Sequence, residues 1–238
     1  MLITSLTAAL LLTQTPRSIS ELLPTNFKTA TFVTKKVSAN QKELATINKD
    51  FGMSYRFDSM TVSVKEPHKL RLEAKVQDSS FLFIVNGTTK LVRAPRAKIS
   101  IKDDVSTEPG KRQTVFDFGI LTPALMQDLF TASFVRMDRE TGDAVYDLFY
   151  KSNMKDATRH RVWISPSKKV ITKREWYSQF GDKRLMATMI YGNFTQKGGG
   201  YFPTVYTVKS ASGKVAGVLE FERVTVNEPL ADSLFSVN

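Results

Sequence analysis

Histidine and cysteine set the first limits on chemistry here: across 238 residues there are two histidines, His68 and His160, and no cysteine. A thiol nucleophile, a disulfide framework and a cysteine-ligated metal are therefore excluded. The histidines are isolated, and His160 sits between Arg159 and Arg161, whose charge repels a cation. Both are expected at the surface, satisfied by solvent, with no metal site. Ser165-Pro166-Ser167-Lys168 has the S-x-x-K spacing of serine acyl enzymes. That chemistry needs a helix to set lysine beside serine, whereas the motif lies between strand-like runs Arg161–Ile164 and Val170–Tyr177, so a hairpin turn is expected. Adjacent Asp103 and Asp104 point in different directions, and Glu220 and Glu222 read as solvated strand carboxylates, not an acid–base or calcium pair. No G-x-S-x-G, Walker loop, G-x-G-x-x-G or H-E-x-x-H is present, and Gly198-Gly199-Gly200 reads as a turn. No catalytic residue and no cofactor is expected; the chain reads as a non-enzyme.

The formal charge of +11 invites a polyanion as partner. Most of that charge alternates along strand-like runs as Lys, Arg, Asp and Glu, the pattern of a solvated sheet face, so nucleic acid is not expected. The exception is Lys151 to Arg184, where Lys151, Lys155, Arg159, Arg161, Lys168, Lys169, Lys173, Arg174, Lys183 and Arg184 meet only Asp156, Glu175 and Asp182. This basic region is the expected contact for a membrane surface or an acidic protein partner of an otherwise monomeric chain. Trp163 and Trp176 lie within it, as packing residues or as the rim of such an interface.

The elements that must position these residues are mostly strands. From Met53 to Pro95, apolar-alternating segments are separated by Lys65-Glu66-Pro67 and Asn86-Gly87; Leu70, Leu72, Ala74 and Val76 interleave with Arg71, Glu73 and Lys75. Strands are expected over Tyr55–Lys65, Leu70–Val76, Ser80–Val85, Lys90–Arg93 and Lys98–Ile101. They resume over Ala132–Met137, Ala144–Tyr150, Arg159–Ser165, Lys169–Tyr177, Arg184–Phe194, Phe202–Val208 and Val215–Val226. Phe27–Val37 is a further strand or an extended approach. Two helices interrupt them: Ala39–Phe51, with Ser38 and Gln41 at capping-box spacing, and Thr122–Phe130, with Thr122 as N-cap and Pro123 at the first helical position. Met1–Leu12 has the length of a secretory h-region, so residues 1–17 are read as a signal peptide and 18–238 as a single domain.

An antiparallel sheet of about ten to twelve strands curls under its own twist, and two helices are too few to fill its concave side. A cavity or cleft for an apolar ligand follows. Val64-Lys65-Glu66-Pro67, Asn86-Gly87-Thr88-Thr89-Lys90-Leu91 leading to Pro95, Thr122-Pro123, and Leu230-Ala231-Asp232-Ser233-Leu234-Phe235 occur in an order that resembles the periplasmic outer-membrane lipoprotein carrier and sorting proteins, the LolA-like family. The resemblance implies a mainly β fold, a curled antiparallel sheet forming an incomplete β-barrel with short helices as plug or lid. It implies a periplasmic carrier that holds the acyl chains of lipoproteins or lipids and transfers them toward the outer membrane. Known members carry an arginine before the proline that latches the lid; Glu66 stands here, so that role does not carry over. Candidate lining residues are Val62, Val64, Leu70, Leu72, Phe81, Phe83, Val85, Leu125, Leu129 and Phe130, with Phe81 and Phe83 preferred to Leu82 and Ile84 on strand register. The alternative is a lipid- or lipoprotein-sensing regulatory module of the same fold acting through a protein partner.

Overall fold

The computed structural model describes residues 18–48, 51–76, 79–179 and 183–238; the leader expected over residues 1–17 lies outside them. Strands β1 (Thr29–Ala39), β2 (Ser59–Lys65), β3 (Lys69–Val76), β4 (Ser79–Asn86), β5 (Thr89–Ala94) and β6 (Ile99–Asp104) come first, with helix α1 (Gln41–Ile47) after β1. Helix α2 (Pro123–Leu129) precedes β7 (Phe130–Met137), β8 (Ala144–Tyr150), β9 (Arg159–Ser165), β10 (Val170–Tyr177) and β11 (Leu185–Gly192). A small ribbon of β12 (Thr195–Lys197) and β13 (Gly200–Phe202) is followed by β14 (Val205–Ser210) and β15 (Val215–Val226).

Thirteen of these strands form one antiparallel sheet in the order β6-β5-β4-β3-β2-β1-β15-β14-β11-β10-β9-β8-β7. β1 and β15, distant in sequence, pair at its centre. The sheet is not closed: β6 and β7 are its two edges, yet they are joined by a single connection, residues 105–129. That connection must travel from one edge to the other. It does so with Val105, Val115, Phe116, Phe118, Ile120, Leu121, Leu125 and Leu129 all buried.

Local departures from the expected elements have simple causes. α1 begins at Gln41 because Asn40, not Ser38, caps it, its side chain accepting from Glu43 N–H at 3.2 Å. Ser38 instead continues β1 and pairs with Val218. Phe51–Arg56, which the sequence divides between the first helix and the next strand, is a 3-10 turn. The run Phe202–Val208 splits into β13 and β14 at Pro203, which has no N–H to give to a ladder. α2 opens where expected, the Thr122 hydroxyl accepting from Leu125 N–H at 3.2 Å with Pro123 in its first turn.

Among the described residues two apolar clusters form the core. The large one lies in the hollow of the sheet, where Phe118 packs against Phe32 at 5.0 Å and Phe221 at 5.8 Å between ring centroids. Gly217 is required there, because a Cβ would lie 2.3 Å from Tyr55 Cε1. The smaller cluster lies on the outer face, where Ile84 and Leu91 receive Phe235 of the C-terminal segment. Lys65 and Lys69 reach Asp232 at 2.9 and 2.8 Å, and Asn86 donates to the Phe235 carbonyl at 3.1 Å. β4 thus buries both faces, which explains why Phe81-Leu82-Phe83-Ile84-Val85 shows no polar alternation.

Candidate functional site

The hollow of the sheet brings together most of the lining residues expected from sequence. Val62, Val64, Leu70, Leu72 and Val85 are buried in the main cluster together with Leu125 and Leu129 of α2 and with Phe130, and Phe83 packs against it half-buried. Cross-strand pairs Leu70↔Val85, Leu72↔Phe83 and Ala74↔Phe81 set that face of β4 inward. Phe81 is separate: its ring meets that of Phe57 in a tilted pair at 4.9 Å between centroids and is not part of the main cluster. Leu82 and Ile84 turn outward under the C-terminal segment.

The hollow is covered by residues 105–129. A 3-10 turn, Val115–Phe118, is fixed by a capping box between Thr114 and Asp117. It ends at Gly119, whose φ of +86° and closeness to the Tyr191 ring, 2.8 Å from where a Cβ would stand, both call for glycine. The Gly119 carbonyl accepts from Ile171 N–H at 2.9 Å, fastening the turn to β10. α2 is fastened differently. Thr122 Oγ1 donates to Glu66 Oε2 at 2.7 Å, and His68 Nε2 meets Asp128 Oδ2 at 2.7 Å, so the β2–β3 turn grips both ends of the helix. Burial raises the Glu66 carboxyl above its ordinary pKa, and the Thr122 hydroxyl opposes that shift. Glu66 therefore holds the helix through hydrogen-bond acceptance, in a position where the resemblance implied an arginine.

His68 is thus a clasp residue, its side chain 12% exposed, and not the solvated histidine its isolation in sequence implied. His160 departs further: it is buried in the hollow, with Phe116, Phe130 and Tyr150 rings edge-on at 5.4, 6.3 and 5.7 Å. Burial pushes its pKa well below the ordinary imidazole value, and the Arg174 charge adds to the shift. A signal for this was present. Arg159 and Arg161 share one face of β9, which leaves His160, Val162 and Ile164 on the other.

Arg174 also leaves the basic surface to which its sequence neighbours assign it. It is buried, its Nη1 and Nη2 donating to Asp117 Oδ1 at 3.2 Å. On the outer face Arg159 and Arg161 converge on Asp147 at 3.0 and 2.8 Å, and Arg159 lies 3.7 Å from the Tyr177 ring centroid. Lys173 pairs with Glu175 at 2.7 Å and lies 4.0 Å over Trp163, whose indole donates to Asp138 at 3.0 Å. Arg159, Arg161, Lys173 and Arg174 are therefore matched within the fold, by Asp147, Glu175 and Asp117. Ser165-Pro166-Ser167-Lys168 is a hairpin turn beside a cleft of about 600 Å³ lined in part by Asp143, Thr172 and Tyr191. Its lysine ammonium turns toward the Phe194 ring at 5.8 Å, while Ser165 Oγ contacts Ser167 Oγ and Lys168 N–H.

An open antiparallel half-barrel whose hollow is plugged by the connection between its own edges has the LolA-like fold. Among solved structures the chain is similar to a putative outer membrane lipoprotein-sorting protein domain from Vibrio parahaemolyticus, with a TM-score of 0.62 and 10% identity over 92% of this chain and 93% of that one. It is also similar to a LolA superfamily protein from Nitrosomonas europaea, with a TM-score of 0.57 and 16% identity over 92% and 94% of the two chains. No family model and no curated protein matches the sequence. Among the described residues no helix is long and apolar enough to cross a membrane.

Proposed function

We propose that the protein is a non-enzymatic carrier that binds the acyl chains of lipoproteins or lipids in the hollow of its sheet and passes them toward the outer membrane. The observation that carries this reading is the manner in which α2 covers the hollow. It contributes Leu125 and Leu129 to the core but is held at its ends by side-chain contacts to the β2–β3 turn. A carrier needs a cover that an acyl chain can replace. A chain of about fourteen methylenes gains roughly 11 kcal/mol on burial at ~0.8 kcal/mol per methylene. Exposing Leu125 and Leu129 costs roughly 3–6 kcal/mol, whereas exposing every buried apolar side chain of residues 105–129 costs about 12–24 kcal/mol. One acyl chain therefore repays movement of α2, while the Val115–Phe118 turn stays as a fixed floor.

In this reading Val62, Val64, Leu70, Leu72, Phe83 and Val85 meet the ligand on the sheet, and Phe81 extends the face toward Phe57. Residues 1–17 act as an export signal and residues 18–238 work in the periplasm. Titration of the protein with a fluorescent acyl probe tests the proposal. Saturable binding is expected, and Phe83→Asp is expected to abolish it while leaving the circular dichroism of the sheet unchanged. A folded wild type that takes up no probe refutes the carrier reading, and N-terminal sequencing of the exported protein checks the leader.

A further inference from the structure

A polar cluster inside an apolar hollow calls for a reason, since replacing a buried ion pair with packed apolar side chains is often neutral or stabilising. Arg174 Nε and both ring nitrogens of His160 are buried with no hydrogen-bond partner among the described residues. The two side chains lie against one ring: the guanidinium carbon is 4.5 Å, and the imidazole centroid 5.4 Å, from the centre of Phe116. The guanidinium charge is already matched by Asp117, whose other oxygen is held by Thr114 N–H at 3.0 Å. His160 is neutral, so one of its nitrogens donates and the other accepts. What is unfilled is therefore uncharged hydrogen-bonding capacity: donors on Arg174 Nε and one imidazole nitrogen, and a lone pair on the other. A carboxylate or phosphate brought here leaves a net negative charge buried, whereas a carbonyl oxygen needs only the donors.

We propose that this cluster is a subsite for the neutral carbonyl linkage of an ester- or amide-bound acyl chain. Phe130, where α2 ends, is the gate: its ring stacks on Tyr150 at 4.8 Å and stands edge-on to His160. Displacement of α2 draws that ring aside, the hydrocarbon lies along the hollow, and the linkage oxygen accepts from Arg174 and His160. The subsite rests on the carrier reading and deepens it, naming acyl esters and amides over free fatty acids as the cargo class.

The test compares three pyrene-labelled probes of equal chain length, an acyl methyl ester, the free acid and the plain alkane, on wild type and on His160→Phe. Wild type is expected to bind the ester about tenfold more tightly than the alkane, the effect of roughly one net hydrogen bond, and more tightly than the acid. His160→Phe keeps an aromatic ring among Phe116, Phe130 and Tyr150 but leaves Arg174 Nε as the one donor, and is expected to reduce the ester-to-alkane affinity ratio severalfold. The infrared carbonyl band of a 13C-labelled ester is expected at lower frequency when bound to wild type than to the variant. Equal affinity for ester and alkane, tightest binding of the acid, or an ester preference undiminished in His160→Phe overturns the subsite while leaving the carrier intact. Failure of all three probes to bind refutes the carrier itself.

Discussion

Replacing Thr122 with valine removes two bonds from one buried hydroxyl while keeping its shape. The first is the cap to Leu125 N–H at 3.2 Å, worth about 1 kcal/mol. The second is the 2.7 Å bond to the Glu66 carboxylate, worth about 1.5–3 kcal/mol because its acceptor is ionised and partly desolvated. Together they lower the free energy of opening α2 by about 2.5–4 kcal/mol, a factor of roughly 60 to 700 in the open population. Hydrogen-exchange mass spectrometry reads this directly. Amides of residues 122 and 124–130 are expected to exchange faster by that factor, whereas those of the central pair β1 and β15 keep their wild-type rates. Glu66→Gln retains an acceptor for the threonine and is expected to accelerate the same segment less. Equal acceleration across the whole sheet, or none in α2, shows that the helix does not open as a unit and removes the physical basis of a latch.

Phe235 is fully buried against Ile84 and Leu91, so Phe235→Ala is expected to cost about 3–5 kcal/mol, read from the denaturant midpoint; an unchanged midpoint means the C-terminal segment is not docked. Gly217→Ala forces a methyl into the Tyr55 ring and is expected to destabilise by about 1–3 kcal/mol; Tyr55→Leu in the same chain relieves part of that loss, and strict additivity of the two in thermal melts refutes the contact. Asp232, held by Lys69 and Lys65, has its pKa lowered to about 2. Being depressed on folding, it stabilises the C-terminal clasp above its unfolded value near 3.8 and loses that contribution as pH falls through about 2, so exchange protection around Phe235 is expected to decline between pH 4 and 2 and not to change from pH 5 to 7.

Strand and helix identity were legible because they depend on neighbours in sequence. Ala144–Tyr150, Arg159–Ser165 and Val215–Val226 follow from alternation and turn residues, and Thr122-Pro123 marks a helix start, since a hydroxyl cap and a missing N–H act within one turn. Sheet curvature and an apolar hollow also follow from strand number and twist. The identity of the hollow's contents depends instead on contacts between residues far apart in sequence. Only the tertiary structure sends residues 105–129 across the sheet, because only there do β6 and β7 prove to be opposite edges. It also decides that Arg174 turns inward to Asp117, that Glu66 and His68 grip α2, and that Phe235 covers the outer face of β4. Alternation tells which residues share a face; whether that face meets solvent, a plug or a tail is set by whichever distant segment can bury it at lower free energy than water.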